Sequence, residues 1–235
     1  MADASSLPKY IQVSEMLIRE IAAGHLIDGA RLAPERDMAA ELGISVGTLR
    51  KALSDLEGKG MLHRVQGSGN YVRFQTDVAS VYAMFRLELI GGGGLPTARI
   101  LSVDRLGKTA DMPAFGSASE GHRIRRVRSL DGKAIALEEI WLDGSYRDRI
   151  TADDLSESLY HFYRNDLGLL IGSAVDEIGV AAVPEWGGAD YPIMAGQMAG
   201  YIERISYDAA GTAAEISKTW FDYNKARYIS RLGKG

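Results

Sequence analysis

The stretch Ile44-Ser45-Val46-Gly47-Thr48-Leu49-Arg50-Lys51-Ala52-Leu53-Ser54-Asp55-Leu56 decides how the first third of the chain folds. Leu49, Ala52, Leu53 and Leu56 recur at three- and four-residue intervals, so they form one stripe of a helix that has to be buried. Ser45 stands just before that stripe as an N-cap, and Gly58 or Gly60 ends the helix. The opposite face presents Ser45, Val46, Gly47, Thr48, Arg50 and Lys51, short side chains followed by cations. Small residues let the free amides of a helix N-terminus approach phosphates, and an arginine beside them can contact guanine bidentately in a major groove.

Working outward, Ile11, Met16, Leu17, Ile18 and Ile21 predict a first helix from Lys9 to Gly24. Pro34 suits the first position of a second helix that runs to about Leu42, and Gly43 supplies the tight corner before the third. Downstream, Leu62–Val65 and Asn70–Arg73 alternate as two short strands around Gln66-Gly67-Ser68-Gly69, a hairpin that would be the wing of a helix–turn–helix. On residues alone, a three-helix interaction module with solvated Arg50 and Lys51 remains open.

With 235 residues, 46% of them apolar and 25% charged, the chain can bury one or two ordinary cores. A change of texture near residue 75 predicts two domains, 1–76 and 77–235. No window reaches the ~20 consecutive apolar residues of a membrane helix, and Met1–Lys9 lacks an apolar signal core, so a cytoplasmic protein with no membrane partner is expected. The absence of cysteine excludes disulfides, thiolate nucleophiles and cysteine-bound metals. His25, His63, His122 and His161 are scattered, so no metal centre and no cofactor is expected. The net charge of −4 hides an uneven distribution: residues 1–74 carry nine basic and nine acidic side chains, residues 75–235 eighteen and twenty-two. Ser45–Arg73, with five basic against two acidic residues, is the locally positive stretch expected of a DNA-facing surface.

In the second half, Arg123–Leu130 and Ala134–Leu142 flank Asp131-Gly132, a strong hairpin signal. Gly200–Tyr207 and Ala214–Tyr223 form a second strand pair, Val81–Leu87 is strand-like, and Thr151–Leu167 has helical character with Leu155, Leu159, Phe162 and Tyr163 as its buried stripe. Trp141, Trp186 and Trp220 read as core. The order predicts an α+β fold with an antiparallel sheet and packed helices. Period-two geometry puts Arg126 and Arg128 on one strand face with Glu138 opposite on the partner strand. Two guanidinium forks aimed into a pocket would bind an anion, whereas an exposed cross-strand ion pair would contribute only about 0.2–1 kcal/mol; the pattern alone allows both.

The stretch from Tyr10 to Val72 resembles the winged helix–turn–helix of GntR-family bacterial transcription regulators. The resemblance rests on Leu32-Ala33-Pro34-Glu35-Arg36-Asp37-Met38-Ala39, on Ile44 to Leu53, and on Gly67-Ser68-Gly69-Asn70-Tyr71-Val72. It implies that Arg36, Thr48 and Arg50 contact DNA, with Ser45 and Lys51 beside them, and that the wing Gln66, Gly67, Ser68 and Gly69 enters the adjoining minor groove. Val46 stands where the family has an arginine and Pro34 where it has a serine, which implies an altered operator preference. From about Val78 to Leu232 the chain resembles UTRA, the chorismate-lyase-like effector-binding domain of the HutC subgroup. The matching residues are Arg126-Val127-Arg128, Asp131-Gly132 to Glu138, Ser158-Leu159-Tyr160 and Tyr207-Asp208 to Ser217. Carried over, the resemblance implies that Arg126, Arg128, Glu138, Ser158 and Tyr223 line a pocket for an anionic or sugar-like metabolite. The expected function is a repressor that binds a near-palindromic double-stranded operator as a homodimer and responds to a small-molecule effector. The alternative is a chorismate-lyase-like enzyme acting on a small carboxylate, against which stand the missing cysteine, paired histidines and GxSxG elbow.

Overall fold

The computed structural model describes residues 7–22, 24–74, 82 and 84–231. They divide into two compact units, one of residues 7–95 together with those from 228 onward, the other of residues 96–227. The expected domain boundary between 76 and 77 lies outside the described residues. Of the strand expected over Val81–Leu87, the described residues before Leu87 are not strand: the Phe85 amide turns back to the Tyr82 carbonyl at 2.8 Å, and pairing begins only at Leu87.

In the first unit, α1 (Lys9–Ala22), α2 (Glu35–Glu41) and α3 (Val46–Gly58) precede a two-stranded antiparallel wing, β1 (Leu62–Val65) and β2 (Gly69–Val72). Val13, Leu17, Ile18 and Ile21 of α1 meet Leu49, Ala52, Leu53 and Leu56 of α3 in one core, closed by Leu32, Ala39, Met61, Leu62 and Val72. Burial of these stripes, at about 25 cal/mol per Å² of apolar surface, is the main stabilising term of so small a unit. Gly43 takes φ 60°, the left-handed conformation that turns the chain from α2 into α3. Polar contacts fix the helix pair further: Ser14 donates to Asp55, and Lys59 bridges Glu15 at 3.2 Å and Asp55 at 2.7 Å.

The same unit contains β3 (Leu87–Leu89), inside the stretch after the wing. The buried Arg19 of α1 holds this stretch, donating through Nη2 to the Leu87 carbonyl at 2.6 Å and through Nε to that of Gly94 at 2.9 Å. The last described residues rejoin it: the Ile229 amide donates to the Arg86 carbonyl at 2.9 Å, and Arg231 grips Glu88 through two hydrogen bonds of 2.6 and 2.9 Å.

The second unit is a six-stranded antiparallel sheet of order β4-β5-β6-β9-β8-β7, followed by the short β10 (Ala226–Tyr228). Its strands are β4 (Pro96–Gly107), β5 (Glu120–Leu130), β6 (Lys133–Asp143), β7 (Ile171–Ala182), β8 (Met198–Asp208) and β9 (Ala213–Phe221). Asp131 and Gly132, at φ 47° and 72°, make the two-residue turn between β5 and β6. The helix expected over Thr151–Leu167 is shorter. The chain makes a 3₁₀ turn at Ala152–Asp154, where Asp154 accepts from the Thr151 amide and hydroxyl, and α4 begins only at Leu159 and ends at Asp166. These local caps interrupt the helical period, yet Leu155, Leu159, Phe162 and Tyr163 are all buried, packed with Ile124, Ile140 and Leu142 of the sheet. Trp141 and Trp220 are buried as expected, and Trp186 packs edge-on to Trp220.

Candidate nucleic-acid interface and effector site

Ser45 caps α3: its Oγ accepts from the Thr48 amide at 3.1 Å and lies 2.9 Å from the Thr48 hydroxyl. The cap aligns the first turn of α3 and commits both side chains to the helix start. Further along, Arg50 and Lys51 are exposed. The Arg50 Nε donates to Glu35 at 2.7 Å, tying the start of α2 to the outer face of α3. That hydrogen bond, with lesser help from Arg64 and Asn70, holds the Glu35 carboxyl below the usual carboxylate range. Arg36, the next residue of α2, is exposed.

The wing faces the approach to α2 across a cleft of about 360 Å³, lined by Arg31, Pro34, Glu35, Arg64 and the tip Gln66–Asn70. Gln66 and Gly67 are exposed, whereas Ser68 and Gly69 are half-buried, with the Ser68 hydroxyl 2.6 Å from that of Tyr71. Two cations here escaped the sequence reading. Arg31 forms a bridge with Tyr71 and lies against Gly69, and Arg64 reaches Asn70 at 3.3 Å. The stretch before α2 and the wing are far apart in sequence, so only the alternation of β1 could have signalled Arg64, and nothing local signalled Arg31.

In the sheet, Arg126 of β5 stands directly opposite Glu138 of β6, and Glu138 opposite Thr219 of β9. The Arg126 Nε donates to Glu138 at 2.5 Å, and the Arg128 Nε lies 3.5 Å from the same carboxylate oxygen. Both Nη1 atoms point to the Glu157 carbonyl, at 3.5 Å from Arg126 and 2.9 Å from Arg128. The next residue, Ser158, is buried and caps α4 by accepting from the His161 amide at 3.3 Å. Arg126, Arg128 and Glu138 are only 5%, 4% and 6% exposed, which removes the reading of a solvated cross-strand pair. Burial pushes the Glu138 carboxyl up, but the charges of Arg126 and Arg128 outweigh it and hold the group below its ordinary range.

The same sheet face carries further polar groups that the sequence reading did not assign. Arg204 of β8 makes a two-pronged contact with Asp176 of β7 at 2.5 and 2.7 Å. Glu215 of β9, fully buried, accepts from Tyr163 at 2.6 Å, Ser206 at 3.0 Å and Tyr160 at 3.1 Å. Burial raises its carboxyl above the ordinary range, and the three hydroxyls offset only part of that. Period-two alternation marks Arg204 and Ser206 as one face, but the register that puts them beside Ser217 and Glu215 is a tertiary fact. Tyr223 is placed differently from the other expected pocket residues. It lies in the turn after β9, is 47% exposed, and accepts from Arg227 through its carbonyl; Thr219 and Phe221 are the β9 residues opposite Glu138 and Ala136.

Residues 9–72 match the model of bacterial regulatory proteins of the gntR family, and residues 92–227 match that of the UTRA domain. The chain is 59% identical over 227 residues, 97% of each protein, to the HTH-type transcriptional regulator SmoD of Agrobacterium fabrum. It is 27% identical over 97% of each protein to the HTH-type transcriptional repressor NagR of Bacillus subtilis. The crystal structure of YydK from Bacillus subtilis shares the fold at a TM-score of 0.53 and 23% identity, covering 97% of this chain and all of that one.

Proposed function

The chain belongs to the GntR family of bacterial regulatory proteins and carries a UTRA domain, so it is a transcriptional regulator and not an enzyme; on that premise we propose a repressor that grips a near-palindromic operator as a homodimer. Arg50 reads a base in the major groove, Thr48 and Lys51 contact phosphates beside it, Arg36 adds a contact from α2, and the wing tip Gln66–Gly69 enters the adjoining minor groove. The exposed ion pair with Glu35 keeps Arg50 extended before DNA arrives, and exchange of that carboxylate for a guanine edge costs little at the surface. Such a regulator works in the cytoplasm; among the described residues, no helix is long and apolar enough to cross a membrane.

The effector is a small anion held at Arg126 and Arg128, and the observation that carries this reading is the convergence of two buried guanidiniums on one carboxylate. Buried charges need partners, and a phosphate or carboxylate matches the guanidinium forks bidentately. Glu138 acts as the internal counter-ion that an incoming anion partly replaces, while Ser158 and the Glu157 carbonyl place α4 at the same spot. The chain segments flanking the effector unit, up to Leu95 and from Tyr228, are fastened within the first unit by Arg19 and by the Arg231–Glu88 pair. That connectivity supports coupling through α1: a shift in these segments re-aims α3, and a dimer whose half-site spacing is off by a small rotation loses simultaneous docking.

Two measurements test the proposal. In a thermal-shift screen of phosphorylated sugars, amino-acid derivatives and aromatic acids, at least one anion stabilises the protein, by about 2.7 kcal/mol at one hundred times its Kd, and Arg126→Ala abolishes the response. A response that survives Arg126→Ala removes the site assignment. In gel shifts with DNA from the vicinity of its own gene, affinity falls about 10³–10⁵-fold between 50 and 200 mM salt if six to ten phosphates are contacted.

A further inference from the structure

The wing that the proposed function sends into a minor groove carries no cation at its tip: Gln66-Gly67-Ser68-Gly69-Asn70 is neutral throughout. A minor groove is a band of negative potential, strongest where A·T pairs narrow it, and arginine is a side chain that proteins insert there. A neutral tip by itself draws little from that potential. The fold brings a charge to the tip from outside the hairpin.

The stretch Gly29–Leu32, between α1 and α2, lies antiparallel along β2. The Gly29 amide donates to the Val72 carbonyl, the Val72 amide to the Ala30 carbonyl and the Leu32 amide to the Asn70 carbonyl, each at 2.9 Å, and Arg31 is bridged to Tyr71 between them. The Arg31 backbone is therefore held as firmly as a strand of the wing. Its side chain lies on the tip: a Cβ at Gly69 would meet the Arg31 Nε at 3.1 Å and Nη2 at 3.6 Å. Gly69 takes φ 132°, a conformation that favours glycine, and the missing side chain lets the guanidinium rest against the hairpin backbone. The tip beneath it is braced by the Ser68 and Tyr71 hydroxyls, 2.6 Å apart.

Two neighbouring cations are already engaged. The Arg50 Nε is bound to Glu35, and the Arg64 Nε turns back to Asn70. Arg31 is exposed on the wall of the cleft, and among the described residues no carboxylate pairs with it and no hydrogen bond holds its guanidinium. A cation pinned by its backbone, open at its head and seated on a neutral tip suits the anionic surface which that tip enters. We infer that Arg31 is the minor-groove reader of the wing: it enters beside Gly67–Gly69 and favours A·T over G·C pairs, because the guanine 2-amino group occupies the groove floor and places a donor where arginine needs acceptors. The inference rests on the proposed operator binding and deepens it, by naming a base preference of the wing and the residue that sets it.

Gel shifts with the full-length protein test this on a duplex that it selects from a random pool, with the segment under the wing located by a hydroxyl-radical footprint. There, A·T pairs are replaced by inosine·cytosine, which lacks the 2-amino group, or by G·C, which differs from inosine·cytosine by that group alone. The wild type is expected to bind the A·T and inosine·cytosine duplexes alike and the G·C duplex at least about five-fold more weakly. Arg31→Gln, which keeps a stem over Gly69 and removes the charge, should bind all three alike and lower the slope of log affinity against log salt by about 0.9. A wild type without the preference, or an Arg31→Gln protein that retains it, overturns the inference; a uniform loss with the preference intact makes Arg31 a phosphate contact and overturns it too. Should Arg31→Gln lower the unfolding temperature, Arg31→Lys decides. It keeps the charge and the salt slope, but its strongly hydrated ammonium should reduce the G·C penalty, and an undiminished penalty overturns the assignment. A wild type that retains no duplex from the pool sinks the operator reading and this one with it, whereas a retained duplex without A·T preference sinks this one alone.

Discussion

Arg50–Glu35 in the first unit and Arg126–Glu138 in the second are chemically the same pair, at 2.7 and 2.5 Å, in opposite surroundings. The Arg50 side chain is 65% exposed, so water and salt screen its attraction and either partner can leave at little cost. Arg126 and Glu138 have been taken out of water, where a charge without a counter-charge is costly and the pair must stay complete or be completed by something else. On the proposed function, the first pair is the contact exchanged for DNA, and the second is the site that takes up an anion.

The largest test of this contrast is Glu138→Ala. Removing the carboxylate leaves two buried guanidiniums short of an anion and should cost about 3–5 kcal/mol of stability, measured by urea unfolding of the full chain; a phosphate-containing buffer should restore part of it. A loss below about 1 kcal/mol would make the buried pair no different from a surface one. The pH dependence sharpens the point. Because the folded Glu138 carboxyl lies below its ordinary value, its stabilisation is fully present above the unfolded pKa of about 4.3 and is lost as pH falls through the lower folded value. The wild type should therefore lose stability more steeply on acidification below about pH 4.3 than Glu138→Gln does.

In the first unit the effect should move from stability to binding. Arg50→Ala is expected to weaken operator binding by about 1–3 kcal/mol and relax base preference at one position, whereas Lys51→Ala weakens all sequences alike and flattens the salt dependence by about one ion. Equal losses on operator and random DNA for Arg50→Ala would turn it into a phosphate contact. Ser45→Ala, which removes the cap of α3, should cost about 1 kcal/mol in thermal unfolding. The smallest effect is that of Glu35→Ala, which should change stability by less than about 1 kcal/mol.

The helices and wing of the first unit were legible in the chain because their signals are local. The Leu49–Leu56 stripe, the Ser45 cap and the glycine at 43 each act within a turn or two of helix, and all appear where the periodicity placed them. The hairpin at Asp131-Gly132 was equally local, and it carried the Arg126–Glu138 register with it. The strands β4 and β7 were not read, because edge strands bury too little for a clean alternation and β7 is further broken up by Gly172, Ser173 and Gly179. The helix expected over Thr151–Leu167 was overdrawn for the opposite reason: the apolar period runs through Leu155, but Asp154 and Ser158 make local caps that divide it.

By itself, then, the amino-acid order determined the three helices and the hairpin of residues 9–72, and the facing of Arg126 and Arg128 toward Glu138, since each follows from contacts within a helix turn or one hairpin. Only tertiary structure decided that this trio is buried beneath the Glu157–Ser158 turn, that Arg204 and Glu215 share its sheet face, that Tyr223 lies at the surface, and that β7 is left as an open edge. Burial and sheet order depend on strands distant in sequence, and no local pattern encodes which of them will be neighbours.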